Sequence, residues 1–144
     1  MAKENGYGDK SEIMILRINK GSKIVKSIVD FCSKNEIDGA WVTGLGAVSK
    51  ATVGLYDLET KGYHKKDLKG PFEIASLVGN VGVARKKTRA HIHVVLTDKK
   101  MKAFGGHLDE AVVAATCEVK LEILEVELTR KHDEEIGLDL INLE

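Results

Sequence analysis

The sequence predicts an α+β fold, a mostly antiparallel β-sheet with one main helix. Three observations carry this. Short apolar or alternating stretches recur along the 144 residues, separated by Gly, Pro, Asn and Asp, the pattern of strands and turns. One stretch has the spacing of an amphipathic helix, with Ile24, Val25, Ile28, Val29 and Cys32 on one side. From Thr116 a clear alternation sets in: Cys117, Val119, Leu121 and Ile123 point one way, and Thr116, Glu118, Lys120 and Glu122 the other.

In chain order, residues 1–10 lack the apolar middle of a signal peptide and read as a flexible N-terminal tail. Ile13 to Ile18 is nearly continuous in apolar residues, too short for a helix, and reads as a central strand. Gly21-Ser22 opens the helix, with Ser22 as the N-cap, and Asn35-Glu36 ends it after about residue 34. Gly39 to Val48, Ala51 to Tyr56 and Gly62 to Leu68 read as successive strands. Gly70-Pro71 signals a turn before a further strand, Phe72 to Val81. A hairpin follows, made of Arg89 to Thr97, a polar turn over Asp98 to Lys102, and a return strand. Glu110 to Ala115 is compatible with a helical turn or with the start of a strand. After Ile123 the apolar phase flips to Leu124, Val126 and Leu128, which predicts a β-bulge or a change of partner surface. Gly137 to Leu143 reads as a final edge strand or a docking segment. The organisation is a tail (1–10), one domain (11–128) and a C-terminal extension (129–144) packing on that domain.

Composition narrows the function classes. No apolar run reaches the roughly 18 residues of a membrane span, and Cys32 and Cys117 both fall on apolar phases, as buried free thiols in a reducing cytoplasm do. A cytoplasmic protein with no membrane partner is expected. Twenty-two basic residues balance 22 acidic ones, yet they are segregated. Residues 61–102 hold eleven Lys/Arg against three acids, and residues 103–144 hold three against eleven acids. Such asymmetry marks a nucleic-acid face, acidic and basic strands paired in one sheet, or subunits meeting head to tail. Pairing within the sheet is the favoured expectation.

The chemistry concentrates in the hairpin. Three of the five histidines, His91, His93 and His107, fall within seventeen residues. On a strand, Arg89, His91, His93, Val95 and Thr97 share one face, while Ala90, Ile92, Val94 and Leu96 form a uniformly apolar second face. An antiparallel return brings His107 alongside the pair, and Gly105-Gly106 lets the chain approach closely. Three neutral imidazoles suit zinc or a similar divalent transition metal, and leave a fourth position for water or a small anionic ligand. The plain alternative is polar strand residues facing solvent. Arg89 has the chemistry to anchor a carboxylate and Glu118 to move a proton; an edge cation and a solvated strand carboxylate are the plainer readings of each.

Several spaced motifs together resemble a known family. Gly44-Leu-Gly-Ala-Val-Ser49, Gly70-Pro-Phe-Glu-Ile-Ala-Ser-Leu-Val-Gly79, Ala90-His-Ile-His93, Gly105-Gly-His-Leu108 and Thr116-Cys-Glu-Val119 are similar to the PPC (plants and prokaryotes conserved) domain, over about residues 11–128. The resemblance implies a compact homotrimer, and prokaryotic members often carry a predicted DNA-binding label. The chain departs from plant members in lacking an Arg-Gly-Arg AT-hook and in having these histidines. A more distant likeness, to acetolactate decarboxylase, implies zinc on an HxH pair and a third downstream histidine, matched here by His91, His93 and His107. The expectation is a trimeric metal-binding protein, a regulatory or binding module with at most weak DNA contact. The alternative is a zinc-dependent lyase or hydrolase acting on a small carboxylate.

Overall fold

The computed structural model of the chain describes residues 6–10 and 12–144. One eight-stranded sheet and one helix account for its elements. Part of the expected tail is a strand: Gly6–Lys10 form β1, antiparallel to β2 (Ile13–Asn19). Backbone pairing with β2 supplies partners that a tail in water would take from solvent. Residues 1–5 of that expectation lie outside the described residues.

The helix α1 spans Ile24–Lys34, and buries Ile24, Ile28 and Cys32 against β5 and β6. Its start differs from expectation. Lys23, not Ser22, occupies the N-cap, and its side chain makes no capping bond. A distant carboxylate does that work: Glu110 accepts from the amides of Val25 at 2.8 Å and Lys26 at 3.0 Å. Those first-turn donors have no partner within a helix, and negative charge is favourable there.

Strands expected as separate pieces are continuous. β3 runs Ala40–Asp57 and β4 runs Gly62–Ala84, through the cis Gly70-Pro71 bond. The register shift between Val48 and Lys50 absorbs the polar residues read as a break, since a bulge bends a strand without ending it. The one between Gly44 and Gly46 falls inside the expected strand Gly39 to Val48. β6 covers Ala103–Ile123 without a helical turn at Glu110–Ala115. β5 (Lys87–Thr97) and β6 form the expected hairpin. The phase change after Ile123 is the end of β6, and Leu128 is buried beyond it. The extension forms a second hairpin, β7 (Thr129–Asp133) and β8 (Leu138–Ile141), with β7 parallel to the end of β4.

The sheet order is β1-β2-β6-β3-β4-β7-β8, and β5 bridges β4 to β6. β3, β4, β5 and β6 therefore pair in a closed circuit. The face under α1 is the core, with Leu16, Val42, Leu77, Ile92 and Leu121 all within 1% of full burial. The expected apolar face of β5 lies in it: Ile92, Val94 and Leu96 are buried and Ala90 is packed against it. Burying some two dozen such side chains is the main favourable term in folding. The opposite face carries the functional candidates. Both cysteines are buried, and burial pushes each thiol up to about 12, which leaves them unreactive.

Candidate metal centre

The centre forms where the circuit closes. In the β5–β6 ladder His93 lies opposite His107, and in the β3–β6 ladder His107 lies opposite Gly54. Directly paired residues share a face, so His91, His93 and His107 converge. Their candidate ligand atoms all lie within 4.8 Å of one another. His91 Nε2 and His93 Nε2 are 3.2 Å apart, and the ring centroids are separated by 5.0, 5.5 and 5.8 Å.

Glycine makes the approach possible on both flanks of β6. A Cβ on Gly105 would stand 2.0 Å from the Val94 carbonyl oxygen; one on Gly106 would stand 2.7 Å from that of Gly54, and Gly106 has φ +152°. L-residues rarely adopt that backbone, and Gly does so freely. The third histidine is thus held against two neighbours at once.

Burial disfavours the charged form of two of the imidazoles, His91 and His107. Burial, followed by the fields of His93, Arg130 and His107, pushes His91 down to about 4. Burial also lowers His107, with His93 and Lys65 adding to it and Asp109 opposing. A neutral ring keeps its lone pair for a ligand role. His107 stacks on Tyr63 with centroids 4.5 Å apart, and its Nδ1 is buried without a hydrogen-bond partner among the described residues. Such a nitrogen is costly unless something satisfies it.

The other expected site residues fall apart from this cluster or at its margin. Arg89 lies two residues from His91 on the same strand face, opposite Gly82, and is exposed. Glu118 does not join the histidines. It lies opposite Arg17 and Leu45, eleven positions beyond His107 along β6. The remaining histidines are engaged elsewhere, His64 with Asp57 at 2.9 Å and His132 with Asp139 at 3.0 Å.

Three residues near the histidines escaped the sequence reading. Asn80 lies opposite His91 in the β4–β5 ladder and is 7% exposed; a polar residue in an apolar strand was its signal. Arg130, from the extension, donates through Nη2 to Asn80 Oδ1 at 2.5 Å. Tyr63 flanks His107. No local pattern marks either of the latter two, because both meet the site only through strand pairing. The extension is also pinned near the far side of the cluster, where the Tyr56 hydroxyl donates to the Ile136 carbonyl at 2.6 Å and Tyr56 packs edge-on against Tyr63.

A one-sheet α+β domain with a histidine triad on its open face defines the class: a small domain with a candidate three-histidine metal centre. The chain belongs to the Plants and Prokaryotes Conserved (PCC) domain family, the PPC domain of the resemblance above, whose model matches residues 5–125. It is 37% identical to a metal-containing protein from Archaeoglobus fulgidus, over 96% of each chain, with a TM-score of 0.83. A candidate DNA-binding protein from Bacteroides thetaiotaomicron shares 25% identity over 97% of this chain and 98% of its own, with a TM-score of 0.93. The α-acetolactate decarboxylase of Bacillus subtilis is 14% identical with a TM-score of 0.57, over 88% of this chain and 59% of its own. That last likeness is one of fold alone. No curated protein matches the sequence.

Proposed function

We propose that this protein is a metal-binding module that assembles as a homotrimer and holds one zinc-class divalent ion per chain through His91, His93 and His107. The observation that carries the reading is the convergence of three imidazoles within 4.8 Å. A tetrahedral zinc with bonds of 2.0–2.1 Å sets its ligand atoms about 3.3 Å apart, and the 3.2 Å between His91 Nε2 and His93 Nε2 fits one such edge. The unpartnered buried nitrogen of His107 fits as well, and three ligands leave a position for water or a small anion. The metal-containing relative from Archaeoglobus fulgidus is consistent with this. Gly105 and Gly106 shape the site by admitting the third ligand.

The test is elemental analysis after metal-replete purification. One ion per chain is expected, with His91→Ala losing most of it while keeping the fold, because the buried face of β5 is untouched. His64→Ala and His132→Ala should keep full stoichiometry. Absence of an ion in the parent protein would sink the reading.

A zinc-dependent lyase or hydrolase for a small carboxylate is the second reading, and the open coordination position favours it. A bound ion would supply Lewis acidity and lower the pKa of its water. The position of Glu118 weakens its case as the proton-moving group. DNA contact, on our reading, is weak and confined to backbone phosphates, with affinity falling steeply across a salt titration. Part of the charge segregation is neutralised within the fold, by Lys65 with Asp109 at 2.7 Å and Arg85 with Asp139 at 3.4 Å. Among the described residues no helix is long and apolar enough to cross a membrane; a cytoplasmic location is part of the proposal.

A further inference from the structure

We infer that Arg130 anchors a small oxyanion, a carboxylate or phosphate group, that also takes the open position on the ion held by His91, His93 and His107. The inference rests on the metal reading above and adds to it the ligand class and the residue that selects it. Arg130 is delivered by the parallel pairing of β7 with the end of β4, where it lies beside Ala84. Its side chain is half-buried and makes two hydrogen bonds, both to neutral acceptors: Asn80 Oδ1 at 2.5 Å and the Asp139 main-chain carbonyl at 3.0 Å. A guanidinium carries five donors, so three are left for a ligand. Asn80 is the buried polar residue directly across the ladder from His91. The arginine is therefore fixed next to the cluster and partly stripped of water before any ligand arrives, and its field already acts on His91.

The charge balance then calls for an anion. Asp139 is the acid that acts on Arg130, but its carboxylate is taken by His132 Nδ1 at 3.0 Å and by Arg85 Nη2 at 3.4 Å. Asp109, the acid that acts on His107, is paired with Lys65 at 2.7 Å. The candidate ligand group consists of histidines alone, with no carboxylate among them. A dication held by three neutral imidazoles beside a guanidinium leaves local positive charge uncompensated, which is costly in a partly desolvated site. The planar fork of arginine matches carboxylate and phosphate oxygens. Arg89 shares the strand face but is exposed, so it must give up more freedom to bind.

The experiment loads the full chain with Co2+ and follows its visible absorption during titration with acetate and, separately, with inorganic phosphate. Metal content is measured on the same samples. The wild-type spectrum should shift with at least one anion, and the arm that binds tells which oxyanion the site takes. Arg130→Gln should weaken that anion about tenfold, the scale of one lost charge-assisted hydrogen bond, while taking up Co2+ at least as well, since a repelling charge is gone. Arg130→Lys should recover part of the loss, and Arg89→Gln should stay within about twofold of wild type, as a screened surface charge would. The inference is overturned if neither anion perturbs the loaded protein, if Arg130→Gln binds the anion as wild type does, or if it loses metal and anion together, the mark of a merely structural role. Failure of the wild-type chain to take up Co2+ overturns the metal reading along with it.

Discussion

At His91 the surroundings decide what an ordinary side chain does. Free in an unfolded chain its imidazole titrates at 6.5, and in the fold burial first, then the fields of His93, Arg130 and His107, hold it down to about 4. Between those values the unfolded chain binds the proton and the folded one does not, so the metal-free protein should lose stability as pH falls from about 6.5 towards 4. Below about 4 this group adds no further loss. Melting temperatures of metal-free wild type and His91→Gln across that range check the sign: the variant should show a shallower fall. Parallel curves would mean that His91 is not the titrating group. Arg130 and Asn80 show the same principle from the other side, since each is polar, each is partly or wholly removed from water, and each takes the other as a hydrogen-bond partner.

At the scale of the element, α1 is the case where local signals and tertiary contacts part. Its apolar spacing is plain in the sequence, and the helix ends at Lys34 as expected. Its start is decided from 85 residues away, where Glu110 on β6 takes the free amides of Val25 and Lys26. Glu110→Ala should therefore behave as the loss of an N-cap, costing about 1–2 kcal/mol, and Ser22→Ala should cost far less. Urea unfolding of both variants checks this, through a lower midpoint for Glu110→Ala with an unchanged slope. An equal or larger loss from Ser22→Ala would restore the local cap. β6 shows a second division of this kind. Its early residues pair with β5 and its later ones with β3 and β2, so one strand serves three ladders and His107 stands where β5 gives way to β3.

Across the whole molecule, the sheet face away from α1 is not finished as a water-facing surface. Ile15, Trp41, Leu45, Val78 and Val95 lie on it, each 41–55% exposed. Several large apolar side chains exposed on one face fit a surface covered in an assembly, and the resemblance to the PPC domain implies three copies. Sedimentation equilibrium at micromolar concentration should give about three times the 15.8 kDa chain mass. Leu45→Glu, which places a charge in that surface next to Glu118, should shift the protein towards monomer. A monomeric wild type would remove the trimer from the proposal.

The α+β class, the single helix, the β5–β6 hairpin and the three histidines could be read from the sequence, because each rests on short-range periodicity. A repeat of two puts His91 and His93 on one face, and a five-residue turn returns His107. Strand continuity was not legible: the bulge at Val48–Lys50 looks like a break until a partner strand carries the register past it. Nor could the sequence join Arg130 to Asn80, Tyr63 to His107 or Glu110 to the helix, or part Glu118 from the histidines. Those relations link residues 44 to 85 positions apart, or separate residues on a single strand. They exist only once β3, β4, β5 and β6 close their circuit, since closure, not local propensity, decides which faces meet.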